Sequence, residues 1–300
     1  MKIGVYFKKI RKNKGISQHY IAKDILSQSA YSKFELNKMD IMYSSYISLL
    51  EKLDISHEEF NYIKNGYQYI KKDELCNRFF KMTYNNPAKL NELILSIDTY
   101  LVDKEDILLR DIKSICEALL LLIEAKDMHI IRLKVENIWS RLSKYDGWYI
   151  KEIQLLNSIL FLFPIDTALE ITYHAIKNLK KYKEFQDTYK LEINIKLNMS
   201  LLLIKNEDYQ DAINTLDSLI NICKSNSSYK QLAAIRKGIS LECLGLEGQE
   251  IIRKGKTILE AIEDQTLLDI LMNEERLYVK NSNYDDGVGI TKYKNSGRMK

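Results

Sequence analysis

Residues 27–35 read SQSAYSKFE, and four of them can make directed hydrogen bonds from a single helix face: Gln28, Ser29, Ser32 and Lys33. A glutamine amide can bond adenine through two hydrogen bonds, and a lysine ammonium can reach guanine or a phosphate. The two serines are short enough to let such a helix sit deep in a groove. Nine residues upstream of Ser27, Gln18 opens another helical pattern, where a side-chain amide with a helix N-terminus behind it suits a phosphate. Lys12, Lys14 and Lys38 flank the two patterns as candidates for further phosphate contacts. This is the chemistry of polyanion recognition. Taken singly, each side chain also fits an ordinary solvated helix face.

Residue types that make or break bonds are not arranged to do so. No G-x-S-x-G, phosphate-binding GxxxxGK[ST], H-E-x-x-H or glycine-rich dinucleotide turn occurs, so no enzyme and no cofactor is expected. His19, His57, His129 and His174 are scattered without metal spacing, and no metal site is expected. Cys76, Cys116, Cys223 and Cys243 each lie among apolar residues, which predicts buried thiols in a reducing compartment.

The elements that would hold these residues are helical. The chain has 300 residues, 46% of them hydrophobic, and only 2 Pro and 11 Gly, too few for the turns of an all-β fold. Net charge is +4, but residues 1–40 hold nine Lys or Arg against three Asp or Glu, so the basic excess is local to the N-terminus. There, residues 3–13 form an amphipathic pattern with Val5, Phe7 and Ile10 near one face, ended by Gly15. Ser17 caps a second pattern reaching Ile25, with Ile21, Ala22 and Ile25 inward, and Leu26-Ser27 makes a two-residue connection to a third that Ser27 caps. Tyr31 and Phe34 take its apolar positions. Two further helices over about 43–53 and 57–63 complete a helix-turn-helix layout.

From about residue 68 to 278, helical patterns follow in pairs. Asp208-Tyr209-x-x-Ala212 is the best copy of a degenerate tetratricopeptide-like signature, and a similar entry precedes residue 249, about forty residues on. This predicts an all-α chain: a helix-turn-helix domain over 1–65, a helical-repeat α-solenoid over 66–280, and a flexible tail over 281–300. Asn157, Asn194, Asn198 and Arg236 fall on successive candidate inner helices. The asparagines can both donate to and accept from an extended peptide backbone, and Arg236 can meet a carboxylate. The same residues also fit a surface face or inter-repeat hydrogen bonds. The start MKIGVYFKKIRKNKG has no apolar core run and no apolar run is long enough to span a bilayer, so a cytoplasmic protein without a membrane partner is expected.

The words KKIRKNKGISQ (8–18), SQSAYSKFE (27–35) and LLEKLDISHEEF (49–60) resemble the Rgg family of regulators, with a xenobiotic-response-element-type helix-turn-helix. The GWY and NSILFLFP segment within 147–164 is of a kind those proteins carry. The resemblance implies a quorum-sensing transcription regulator that binds double-stranded promoter DNA as a homodimer and binds a short signalling peptide in its repeats. It also implies that Arg11 pairs with Glu35, a structural ion pair between the first and third helices. Two places depart from the family pattern: the inter-helix turn lacks the usual glycine and is one residue shorter, with Leu26 in its place, and Leu36-Asn37 replaces Arg-Gly. Two other readings stay open on the residues alone, a protein-binding repeat module with a vestigial DNA-binding domain and a regulator of a non-peptide ligand.

Overall fold

The computed structural model describes residues 3–82, 85–182, 184, 188–223 and 228–279. The expected tail over 281–300 lies outside these. Every regular element among the described residues is helical. The chain divides into two compact units, Met1–Cys116 and Glu117–Lys300. No helix among the described residues is long and apolar enough to cross a membrane.

The first unit opens with five short helices: α1 (Gly4–Asn13), α2 (Gln18–Ala22), α3 (Gln28–Glu35), α4 (Tyr43–Lys52) and α5 (His57–Lys64). Serine caps set three of the starts. Ser17, Ser27 and Ser56 each accept a hydrogen bond from the backbone N–H three residues on, at 3.0–3.1 Å. Phe7 is the hub of the core, with its ring 5.2 Å from Phe34, 4.8 Å from Phe60 and 5.7 Å from Tyr46. Ile10, Ile21, Tyr31, Leu49 and Leu53 close around it. The inward stripe of α1 is Gly4, Phe7, Ile10 and Arg11. Val5, expected inward, is instead 45% exposed. It lies two residues from Phe7, about 200° around a 3.6-residue helix, so the two cannot share a face.

Gly4 is inward because nothing larger fits. A Cβ there would sit 1.9 Å from the Phe34 carbonyl oxygen. The Gly4 N–H donates to Asn37 Oδ1 at 3.0 Å, so a residue just past the Leu36 end of α3 also caps α1. Asn37 adopts φ 53°, the left-handed turn that glycine would otherwise make. The unit continues through α6 (Lys71–Phe80), α7 (Pro87–Leu101) and the first part of α8 (Ile107–Ile123).

The second unit contains α9 (Met128–Leu142), α10 (Ile150–Ile159), α11 (Ile165–Leu179), α12 (Thr188–Lys205), α13 (Tyr209–Ile222), α14 (Ser228–Cys243), α15 (Gln249–Ala261) and α16 (Gln265–Tyr278). From α10 on, each helix packs on its chain neighbour. In addition α10 meets α12, α12 meets α14, and α14 meets α16. The even-numbered helices therefore share one layer, the arrangement of stacked helix pairs. The α14–α15 crossing is close enough for backbones to touch: a Cβ on Gly248 would lie 2.1 Å from the Gly238 carbonyl oxygen, and one on Gly255 would lie 2.5 Å from Ile235 Cγ1. Gly248→Ala is expected to destabilise this unit by about 1–3 kcal/mol, the usual cost of overpacking a rigid contact. Urea unfolding followed by tryptophan fluorescence measures it, since Trp139 and Trp148 both lie in this unit.

Candidate nucleic-acid interface

The α2–turn–α3 segment is held from behind by a buried ion pair. Arg11 Nε donates to Glu35 Oε1 at 2.6 Å and Nη2 to Oε2 at 2.9 Å, a bidentate pair whose side chains are 9% and 1% exposed. Arg11 Nη1 also donates to the Ile16 carbonyl at 2.7 Å. Gln18 joins the pair, its Nε2 donating to Glu35 Oε2 at 2.7 Å. Helices α1, α2 and α3 thus converge on one carboxylate. Burial pushes the Glu35 carboxyl up, but the hydrogen bonds from Arg11 and Gln18 more than offset this and hold it below its ordinary 4.5. The Glu35 hydrogen bond raises the Arg11 guanidinium further. Burial pushes the adjacent Tyr31 phenol well up, and the Glu35 charge adds to the shift.

A carboxyl whose folded pKa lies below the unfolded one stabilises fully above the unfolded value and loses that contribution as pH falls through the folded value. The melting temperature of the first unit is therefore expected to hold above pH 4.5 and to fall below it. In the double variant Arg11→Met, Glu35→Leu this particular loss should vanish. Far-UV circular dichroism melts of both proteins across pH 3–6 make the comparison.

The turn between α2 and α3 is longer than the sequence suggests. α2 ends at Ala22, not Ile25, and the connection runs from Lys23 to Ser27. Asp24 takes φ 65°, the left-handed conformation that ends the helix early and that aspartate tolerates better than most residues. The N–H groups of Ile25 and Leu26 both donate to the Ala22 carbonyl, at 3.0 and 2.9 Å, while their side chains pack on the core. The left-handed position of this turn is thus filled by Asp24, and not by Leu26. Lys52 on α4 fixes the turn by donating to the Lys23 carbonyl.

α3 divides cleanly. Tyr31, Phe34 and Glu35 are buried, at 0%, 1% and 1% exposure. Gln28, Ser29 and Lys33 are exposed, and Ser32 is half-buried beside them. Lys12 and Lys38 are exposed too. Two candidates sit differently from a free contact. Gln18 has its amide N–H₂ directed at Glu35, and the Lys14 ammonium donates to the Leu53 carbonyl at the end of α4. Both side chains brace helices in this state.

In the second unit, the structure brings Asn157 and Asn198 together: Asn198 Nδ2 donates to Asn157 Oδ1 at 3.0 Å, from residues 41 apart on α10 and α12. Asn194 lies one turn before Asn198 and is half-buried. Arg236 does not join them as an open cation. It is 6% exposed, and its Nε and Nη2 donate to Glu274 Oε2 and Oε1 at 2.8 and 2.7 Å. Its Nη1 donates to the Leu197 carbonyl at 3.0 Å. In this structure the guanidinium is thus committed within the protein, as an inter-repeat link rather than an open cation. Glu274 was not anticipated at all. Its signal is spacing: Leu197, Arg236 and Glu274 stand 39 and 38 residues apart, one repeat each.

Two family models match the chain. Residues 7–60 match a helix-turn-helix model, and residues 90–236 match the C-terminal domain of the HTH-type transcriptional regulator Rgg. Several solved structures share the fold. A transcriptional regulator from Listeria monocytogenes EGD-e matches with TM-score 0.73 at 17% identity, over 94% of this chain and 99% of that one. The SHP pheromone receptor Rgg2 of Streptococcus dysgalactiae matches with TM-score 0.66 at 19% identity, over 92% and 99%. PlcR of Bacillus thuringiensis, solved in complex with the peptide PapR7 and DNA, matches with TM-score 0.64 at 17% identity, over 91% and 99%. No curated protein sequence matches the chain.

Proposed function

We propose that this chain, which belongs to the Rgg family of helix-turn-helix transcriptional regulators, is a peptide-responsive regulator that binds promoter DNA as a homodimer. The observation that carries the DNA half is the division of α3: its buried side chains lock it to α1, and its exposed ones are those able to bond base edges and phosphates. Gln28, Ser29, Ser32 and Lys33 read the major groove in this proposal, and Lys12 and Lys38 hold the backbone. Gln18 and Lys14 contribute chiefly by fixing helix positions, with Gln18 at the N-terminus of α2 close to the backbone path. A two-fold protein on a two-fold site follows from the geometry of single helix-turn-helix half-sites.

The peptide half is supported by the Asn157–Asn198 pair with Asn194 one turn away, on two helices of one layer, and by the likeness in fold to PlcR, whose structure holds both a peptide and DNA. Amide side chains suit the unpaired backbone groups of an extended peptide. In this reading the chain works by binding in the cytoplasm and carries out no reaction. Calorimetry with synthetic peptides from short open reading frames beside the gene tests it. Binding heat that Asn198→Ala removes supports the peptide reading. No heat from any such peptide favours a different ligand class.

A further inference from the structure

Arg236 sits directly behind the turn of α12 that carries Asn194 and Asn198. Its Nη1 donates to the Leu197 carbonyl at 3.0 Å, and the Ser200 hydroxyl donates to the same carbonyl at 2.8 Å. The rest of the guanidinium is engaged by Glu274 on α16 in a bidentate pair with side chains 8% and 14% exposed. Ser240, one turn along α14, donates to the Arg236 carbonyl at 2.9 Å and is fully buried. Helix α16 is held at two further points: Lys256 on α15 pairs with Glu275, and Cys243 Sγ on α14 lies 3.7 Å from the Tyr278 carbonyl. The Tyr278 phenol is pushed up to about 12, first by burial and then by the Glu274 charge.

A charge pair buried this deeply costs desolvation that hydrophobic residues of similar volume would avoid, so it is weak as a source of stability. What it supplies is direction. The fork of Arg236 joins α12, α14 and α16 through fixed hydrogen bonds, so α16 cannot move without changing what the Leu197 carbonyl accepts. We infer that Arg236 is a positioning residue for the Asn194–Asn198 turn of α12, and that Glu274 makes the geometry of that turn depend on the seating of α16. The inference rests on the reading of this turn as a ligand face, and it assigns Arg236 a role without ligand contact.

Hydrogen exchange read by mass spectrometry on the full chain tests it without any ligand. Glu274→Gln keeps the shape of the side chain and removes the charge that holds Arg236. Exchange is expected to speed up by roughly tenfold or more both across α16 and across residues 194–201, with α1–α5 unchanged. Acceleration confined to α16 overturns the inference. If Glu274→Gln does not fold, the double variant Arg236→Met, Glu274→Leu decides. This apolar pair keeps α16 packed but leaves the Leu197 carbonyl without its arginine, so residues 194–201 should still exchange faster. Exchange there at the unmodified rate overturns the inference. Because no peptide is involved, failure here leaves the peptide reading intact, and failure of the calorimetry leaves this coupling measurable.

Discussion

Glu35→Ala is expected to destabilise the first unit by about 3–5 kcal/mol, the cost of leaving a buried partner charge uncompensated. Arg11 is that partner, and its side chain is 9% exposed and also held by the Ile16 carbonyl. The loss reaches further than one ion pair, because Gln18 on α2 donates to the same carboxylate. α1, α2 and α3 lose their common acceptor together. Hydrogen exchange of the α1–α3 amides in the full chain should report the whole loss. A second substitution gives the internal control. Arg11→Met combined with Glu35→Leu removes both charges and should recover most of the stability, because an apolar pair of similar volume avoids the desolvation cost. Glu35→Ala as stable as the unmodified chain would show that the pair is not what holds α3.

Gln28→Ala is expected to cost about 1–3 kcal/mol of affinity for the operator, a factor of roughly five to one hundred and fifty, and almost nothing for a scrambled duplex. Gln28 is the first residue of α3 and is exposed, and the Ser27 cap fixes the backbone immediately before it. Its amide makes no hydrogen bond among the described residues, unlike Gln18, whose amide is committed to Glu35. Lys33→Ala differs in kind. A lysine on phosphate weakens every duplex alike and lowers the salt slope, whereas a lysine on guanine weakens the operator selectively. Anisotropy titrations of the three proteins on both duplexes separate these cases. Neither substitution touches the core, so both variants should melt with the unmodified chain.

Much of this was legible in the residues. Ser17, Ser27 and Ser56 announce helix starts because a serine oxygen satisfies an N–H that the helix leaves open. The inward and outward residues of α3 follow from 3.6-residue periodicity, which separates Tyr31 and Phe34 from Gln28 and Lys33. The resemblance to a known family supplied the Arg11–Glu35 pair. Other features depend on contacts that local patterns do not encode. The need for glycine at position 4 is one, because a Cβ there would meet the Phe34 backbone, whereas the outward place of Val5 follows from helix periodicity alone. The early end of α2 needs Asp24 in a left-handed turn, a choice stabilised by Ile25 and Leu26 packing on the core. Arg236 reads as an open cation in AAIRKGI until Glu274, 38 residues on, is folded back onto it.

The most direct measurement of the DNA-binding role is a salt titration of the full chain on the duplex upstream of its own gene, against a scrambled duplex of equal length. A regulator acting through α3 should favour the native duplex by roughly a thousandfold or more. Its log affinity should fall linearly with log salt between about 50 and 200 mM, and Gln28→Ala should reduce the preference by the roughly 1–3 kcal/mol expected of one base contact. Equal affinity for both duplexes at every salt concentration, or no binding even at the lowest, would contradict that role.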